Sequence, residues 1–472
     1  MKVSAALSLI GPFLLCAVSM AQTVEPPLVI LHVTVINPAT SSVEPDQAVT
    51  IVGNEIASVT DVARYKAIAQ ARVIDGTNQF LIPGLWDMHV HSAFGDWFPG
   101  GRDIILPLFV ANGITGVRDM GGDLPVLFAW RKDIAAGKLI GPRMVVAGPM
   151  LDGYLPDGKN LRFPSTVPVT SIEEAVAAVD SLKAQGVDFI KTQSLISHDA
   201  YLAAATEAHK QGLPFVGHVP DAVRIREAIA VGQKSIEHMM GAAAACSTVE
   251  DRVIKGEIDT ATLLNSYDET HCNETIALLA KTQTWEVPTL VWERGGNALD
   301  KLDWQHQPLD RYVPAYWRDV TWKRFKEQMT PGLLKDPFPL RQREVALEFS
   351  FVKAMHRAGV PFLAGTDAAP GIYIMPGFSL HDEMANFVDA GFTPMEALQT
   401  ATSNPARFLG RNDIGSIAPG RYADLVLLAA NPVDDIKNTK KINAVVINGK
   451  YLDRAALDQM LKNVETAAKQ QK

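Results

Sequence analysis

The chain is 472 residues long, 47% hydrophobic and 20% charged, with a formal net charge of −8. That length exceeds one ordinary core and leaves room for one large domain with a smaller one attached. The acidic balance excludes the electrostatic footprint of a nucleic-acid binder and points away from polyanionic substrates.

The opening residues, MKVSAALSLIGPFLLCAVSMAQ, carry Lys2, an apolar stretch and the small-x-small site Ser19-Met20-Ala21. This is the layout of a signal peptide over 1–21, with the mature chain starting near Gln22 and exported to the periplasm or secreted. A buried N-terminal helix is the competing reading, but Gly11-Pro12 interrupts it and Pro26-Pro27 follows it. Leu15 precedes Cys16 where a lipoprotein signal needs a small residue. No later stretch is long and apolar enough to span a bilayer. Without the signal, only Cys246 and Cys272 remain, either joined in one local bridge or kept as two buried thiols.

Residues 22–80 read as short alternating strands, LVILHVTVIN, AVTIVGNEIASV and ARVIDGTNQF, separated by turn residues. The same texture returns over 411–472, in GSIAPGRYADLVLLAAN and INAVVINGKYLD, before a helical tail. Each piece alone is too small to bury a core, so the two chain ends are expected to form one β-sandwich. His32, in the first of these strands, reads as structural.

Between them, residues 81–410 alternate apolar strands with amphipathic helices, the mark of βαβ units around a parallel sheet. The strands in order are LIPGLWDMHVHS, GITGVRDM, RMVVAGPML, DFIKTQS, PFVGHV, SIEHM, EVPTLVW and PFLAGTDA. Eight such strands close a (β/α)8 TIM barrel. Helices are expected over Ser171 to Gln185 and Asp199 to Gln211. An insertion at about 293–340 is rich in tryptophan, with Trp304, Trp317 and Trp322 following Trp292. It reads as a helical cover over the barrel mouth, or equally as the contact of a homo-oligomer.

Catalytic residues of such a barrel stand at the C-terminal ends of its strands. His89 and His91 end the first strand, Lys191 the fourth, His218 the fifth, His238 the sixth and Asp367 the eighth. An isolated H-x-H pair is most often two ordinary strand histidines. Four imidazoles and a carboxylate converging on one mouth are instead a zinc-binding set. His198, His209, His271, His306, His356 and His381 fall in helices or loops and read as non-ligands. Lys191 follows Phe189-Ile190 into this mouth, where burial and nearby metal favour the neutral amine. Such an amine can add carbon dioxide and bridge two metals as a carbamate, whereas a lysine read alone would simply reach solvent.

The arrangement HVH, FIKTQS, FVGH, SIEHM and LAGTDA, with PGRYADLVLL near the C-terminus, resembles the amidohydrolase superfamily of metal-dependent hydrolases across essentially the whole mature chain. The resemblance implies that His89, His91 and Asp367 hold one metal and His218 and His238 a second. Carbamylated Lys191 would bridge the two ions, expected to be Zn2+. GITGVRDMGG, LIGPRMVVAG and TPMEALQTATSNPARFLG are most similar to the imidazolonepropionase-like and prolidase-like branch. Imidazolonepropionase itself usually lacks the bridging lysine, so Lys191 departs from it. Relatives that keep the lysine cleave amides bearing a free carboxylate, such as dipeptides and N-acyl amino acids.

The expected chemistry is attack on a carbon–nitrogen bond by a metal-bridging hydroxide, without endopeptidase action on long chains. Asp367 would carry the proton from that water to the leaving amine, and His238 or a metal would stabilise the oxyanion. Arg118, Tyr154, Trp292 and Arg294 are the candidates for holding a small amide or dipeptide substrate, an arginine serving its carboxylate. The bland reading pairs Arg118 with a neighbouring acid and packs Trp292. A cyclic amide or a lactone is the alternative substrate, and a non-catalytic binding barrel the alternative function.

Overall fold

Alternation of apolar and polar residues gives the N-terminal segment five strands, β1 (Leu28–Asn37), β2 (Ser42–Val52), β3 (Glu55–Asp61), β4 (Arg72–Asp75) and β5 (Phe80–Pro83). The computed structural model describes residues 26–303, 307–368 and 373–471, so the expected signal over 1–21, Trp304 and His306 lie outside the described residues. Parallel strands follow: β6 (Leu85–Val90), β7 (Ile114–Asp119), β8 (Arg143–Val146), β9 (Met150–Asp152), β10 (Thr166–Pro168), β11 (Ile190–Thr192), β12 (Phe215–Gly217), β13 (Ser235–Glu237) and β14 (Trp285–Val287). The chain ends in β15 (Leu425–Leu428), β16 (Ile442–Ile447), β17 (Lys450–Asp453) and a helix, Arg454–Gln470.

Strands from both ends share one sheet in the order β17-β16-β15-β5-β1-β2-β3, with β4 beside β1. The amide of Ile56, in β3, reaches the Arg421 carbonyl at 2.8 Å, so the sheet turns back on itself just ahead of β15. Val33, Val35, Val49, Ile51, Leu425 and Val446 fill the enclosed core. This is the small β-sandwich, built from segments that could not bury a core separately.

The barrel comprises the β6-β7-β8 sheet and the sheet running β10-β9-β11-β12-β13-β14. The third strand of the sequence reading is broken at Gly148-Pro149 into β8 and β9, and the Asp188 amide on Val146 carbonyl (2.9 Å) carries the ladder across to β11. The eighth strand forms no regular ladder, yet residues 361–368 close the ring from both sides. Leu363 N reaches Glu286 O at 3.0 Å, and Met88 N reaches Ala364 O at 2.9 Å. Trp86, Met88, Phe189, Val216, Trp285 and Leu363 pack the interior, and Phe408 joins them from beyond the barrel. The helix Ile172–Gln185 starts where the Ser171 side chain accepts the Glu174 amide and stops at Gly186, whose φ of 87° suits glycine.

Among the described residues no helix is long and apolar enough to cross a membrane. Cys246 and Cys272 are bonded to each other and both are buried, resolving the choice that sequence left open.

Candidate metal centre

Each ligand candidate stands where a barrel strand gives way to its loop. His89 lies on β6 and His91 one residue past it; Lys191 lies on β11; His218 and His238 directly follow β12 and β13. Asp367 comes from the closing segment, where its amide bonds the His89 carbonyl at 2.8 Å. Three side chains form a tight group: Asp367 Oδ1 is 3.4 Å from His89 Nε2 and 3.3 Å from His91 Nε2. Two ligands on one tetrahedral zinc ion, at bond lengths of about 2.05 Å, stand about 3.3 Å apart. These donors therefore fit one ion. The His238 ring lies 4.9 Å from that of His89 and 5.0 Å from that of His218, which places the second pair beside the first group.

Every imidazole has its Nδ1 engaged away from the centre. His89 Nδ1 meets Glu237 Oε2 at 2.8 Å, and His91 Nδ1 meets the Gly121 carbonyl at 2.8 Å. His218 Nδ1 meets Ser194 Oγ at 2.7 Å, and His238 Nδ1 meets Thr289 Oγ1 at 2.6 Å. Such contacts fix ring orientation and tautomer, leaving Nε2 to ligate. Burial holds His89 and His218 well below the ordinary imidazole range and His238 at about 4, so all three rings are neutral donors at neutral pH.

Lys191 is fully buried and its Nζ has no hydrogen-bond partner. Burial pulls the amine down to about 8 despite the opposing charges of Glu237 and Asp367. Gly217 is required beside it: its φ is +129°, and a Cβ would sit 2.3 Å from the Thr192 carbonyl. An orphaned amine at this place fits a modified lysine better than a free one, since an unpaired buried donor is costly. Burial alone would raise the Asp367 carboxyl, but the imidazoles of His89, His238 and His91 outweigh it and hold it far below its ordinary value.

The backbone is strained at the same rim. His238, Met239, Thr289 and Asp367 all have φ between 48° and 60°. Such conformations cost non-glycine residues on the order of 1–3 kcal/mol each and gather at functional sites.

A cavity of about 280 Å³ opens over the centre, and His89, His91, His218, His238 and Asp367 all line it. Its upper wall is aromatic, with Phe94, Trp97, Phe163, Trp292, Trp322 and Phe325. The insertion supplies part of that wall and is pinned to the loop after β6. Trp317 Nε1 donates to the Pro99 carbonyl at 3.1 Å, and the Thr321 hydroxyl bonds the Trp97 carbonyl. The insertion thus contributes Trp322 and Phe325 to the cavity wall.

Of the four substrate candidates, only Trp292 lines the cavity. Arg118 is a correction. On β7 it shares the inward face with Gly116, below the ligand layer, and is completely buried. Its Nη2 donates to both Glu237 oxygens at 2.9 and 3.0 Å, Nη1 to Ser235 Oγ at 3.0 Å and Nε to the Met88 carbonyl at 2.6 Å. Arg294, two helical positions after Trp292, turns to Asn386 and Asp389 at 2.7 and 3.0 Å. Tyr154 sits 39% exposed in the loop after β9 and does not line the cavity.

Sequence reasoning missed Glu237, Ser194 and Thr289 as orienting partners, and Arg162 and Glu293 in the cavity wall. Glu237 had a signal, since it shares the inward face of β13 with Ser235.

The Amidohydrolase family model matches residues 80–452. An ochratoxinase from Aspergillus niger is 24% identical over 420 residues, covering 77% of this chain and 73% of that protein. An imidazolonepropionase from Cereibacter sphaeroides (strain KD131 / KCTC 12085) is 43% identical over 79 residues, 17% of this chain, which span only 20% of that enzyme's length. Among solved structures, a Xaa-Pro dipeptidase with bound methionine in its active site superposes with a TM-score of 0.66 at 21% identity, covering 90% of this chain and 100% of that one.

Proposed function

The chain belongs to the amidohydrolase family, and we propose that it is an exported metal-dependent hydrolase of carbon–nitrogen bonds, cleaving a small amide such as a dipeptide or an N-acyl amino acid. The observation that carries this reading is the ligand set above an orphaned Lys191 amine. His89, His91 and Asp367 would hold one divalent ion, His218 and His238 a second, with Lys191 as a carbamate between them. Zinc suits this mixture of imidazole and carboxylate. When bound, the ions supply an acidified water and polarise the scissile carbonyl.

The chain's own groups do the rest. Asp367, facing His89 and His91, would take the proton of the attacking water and deliver it to the departing nitrogen, which leaves only when protonated. His238 serves as a ligand through Nε2, because Nδ1 is spent on Thr289. The aromatic wall excludes bulk water and limits the substrate to a small molecule. Export to the periplasm or medium is supported by the N-terminal signal pattern and by the Cys246–Cys272 bridge.

The test is amine release from dipeptides and N-acyl amino acids by the mature chain, loaded with zinc in bicarbonate buffer. Chelator-sensitive hydrolysis is expected. A protein holding two metals that cleaves lactones or cyclic amides instead would replace the substrate class, and one that holds no metal would overturn the reading.

A further inference from the structure

The cavity wall contains one guanidinium, that of Arg162, and it is half-buried without a counter-ion. Among the described residues no carboxylate lies within ion-pair distance of Arg162 and none of its nitrogens has a hydrogen-bond acceptor; the other two arginines considered above, Arg118 and Arg294, are both paired. The acids closest in electrostatic influence are engaged elsewhere or stand apart. Asp152 accepts the Leu195 amide at 2.7 Å, and among the described residues Asp221 makes no ion pair.

Arg162 is also held in place. Its loop, between β9 and β10, is folded by Asp157, whose carboxylate accepts the amides of Lys159 and Asn160 at 2.9 and 3.0 Å. The next residue, Phe163, packs against Phe94 and Trp97 with ring centroids 6.0 Å away in each case. The anchor holds Arg162 in the wall of the cavity that the histidine ligand candidates and Glu293 also line. A guanidinium stays charged at any working pH and presents a planar fork matched to a carboxylate. Leaving it partly desolvated and unpaired is unfavourable until an anion arrives.

We propose that Arg162 is the specificity residue that binds the free carboxylate of the substrate, selecting amides of α-amino acids whose other half is bulky and apolar enough to fill the aromatic wall. This rests on the amide-hydrolase reading and deepens it. In such a substrate the carboxylate is attached to the carbon next to the scissile nitrogen, so a cation beside the metal ligands meets it while the carbonyl lies over the centre. The acyl half then faces Trp97, Trp292, Trp322 and Phe325.

The experiment uses the zinc-loaded enzyme and a probe that hydrolysis does not consume, benzenesulfonyl-phenylalanine, beside its carboxamide. Binding is followed by the fluorescence of the cavity tryptophans, with calorimetry as a second readout. Wild type should bind the carboxylate more tightly than the carboxamide by on the order of 100-fold. Arg162→Met should collapse that ratio to near one, and Arg162→Lys should restore part of it. A ratio that survives in Arg162→Met, or a wild type indifferent to the carboxylate, overturns the proposal. Hydrolysis of benzoyl-phenylalanine and benzoyl-phenylalaninamide is measured in parallel. If neither is cleaved while the binding ratio still depends on Arg162, the amide-hydrolase reading fails and the carboxylate site stands.

Discussion

Removing Arg118 separates a structural from a substrate-binding arginine. In the barrel interior its guanidinium neutralises Glu237, both side chains being wholly excluded from solvent. Arg118→Met leaves that carboxylate buried with only the Ser235 hydroxyl and His89 Nδ1 as partners. Breaking a buried pair from one side costs about 3–5 kcal/mol, because the remaining charge is uncompensated. Replacing both partners, in Arg118→Met with Glu237→Gln, should recover most of the loss, since the glutamine oxygen can still accept from His89. The assay is urea unfolding of the metal-loaded protein, with zinc content measured in the same samples. The single variant should unfold at markedly lower urea, and the double variant should return towards wild type in stability. An Arg118→Met protein of unchanged stability, with only a raised KM, would refute this and return Arg118 to the substrate.

Other outcomes follow from the same geometry. Lys191→Ala should lower zinc content and amide hydrolysis together, and unchanged hydrolysis in that variant would rule out the carbamate bridge. Cys246→Ser should cost about 3–4 kcal/mol, given a sequence separation of 26; equal stability of the wild type with and without reductant would contradict it. Glu383 is buried, accepts the amides of Leu290 and Val291 at 3.0 and 2.7 Å, and is pushed by burial up to about 8. Between the ordinary glutamate value and about 8 the native state holds a proton that the unfolded chain has lost, so stability falls as pH rises, by about 1.4 kcal/mol per unit for this group. Glu383→Gln should therefore flatten the pH dependence of urea unfolding between pH 5 and 8, and a curve parallel to wild type would remove Glu383 as the cause.

The barrel was legible because each βα unit repeats one pattern, a short apolar run followed by a helical period, and because strand ends collect the polar residues. That logic placed His89, His91, His218, His238 and Asp367 around one cavity. It failed where local irregularity interrupts the pattern. The kink at Gly148-Pro149 splits one expected strand, and the 361–368 segment closes the ring through scattered bonds rather than a ladder. Arg118 was misplaced although strand alternation was available: a residue two positions from Gly116, the glycine that makes room for Trp86, must face the packed interior. Arg162 had no comparable signal. It lies in an irregular loop with no periodicity, and only the packing of Phe163 in three dimensions brings it to the cavity.

The partners behind the histidines divide the centre into unequal halves. His89 leans on an anionic carboxylate, itself balanced by Arg118, and shares its ion with the Asp367 carboxylate. His218 and His238 lean only on neutral hydroxyls, of Ser194 and Thr289. A carboxylate behind an imidazole raises its basicity and strengthens its hold on a metal, and such partners are worth about 10–100-fold in affinity. The ion held by His218 and His238 should accordingly leave first under increasing chelator, giving two resolved steps in zinc release. In Glu237→Gln the tighter step should weaken and draw towards the looser one. Simultaneous loss of both ions, unaffected by Glu237→Gln, would mean that the bridging Lys191 rather than these partners governs affinity.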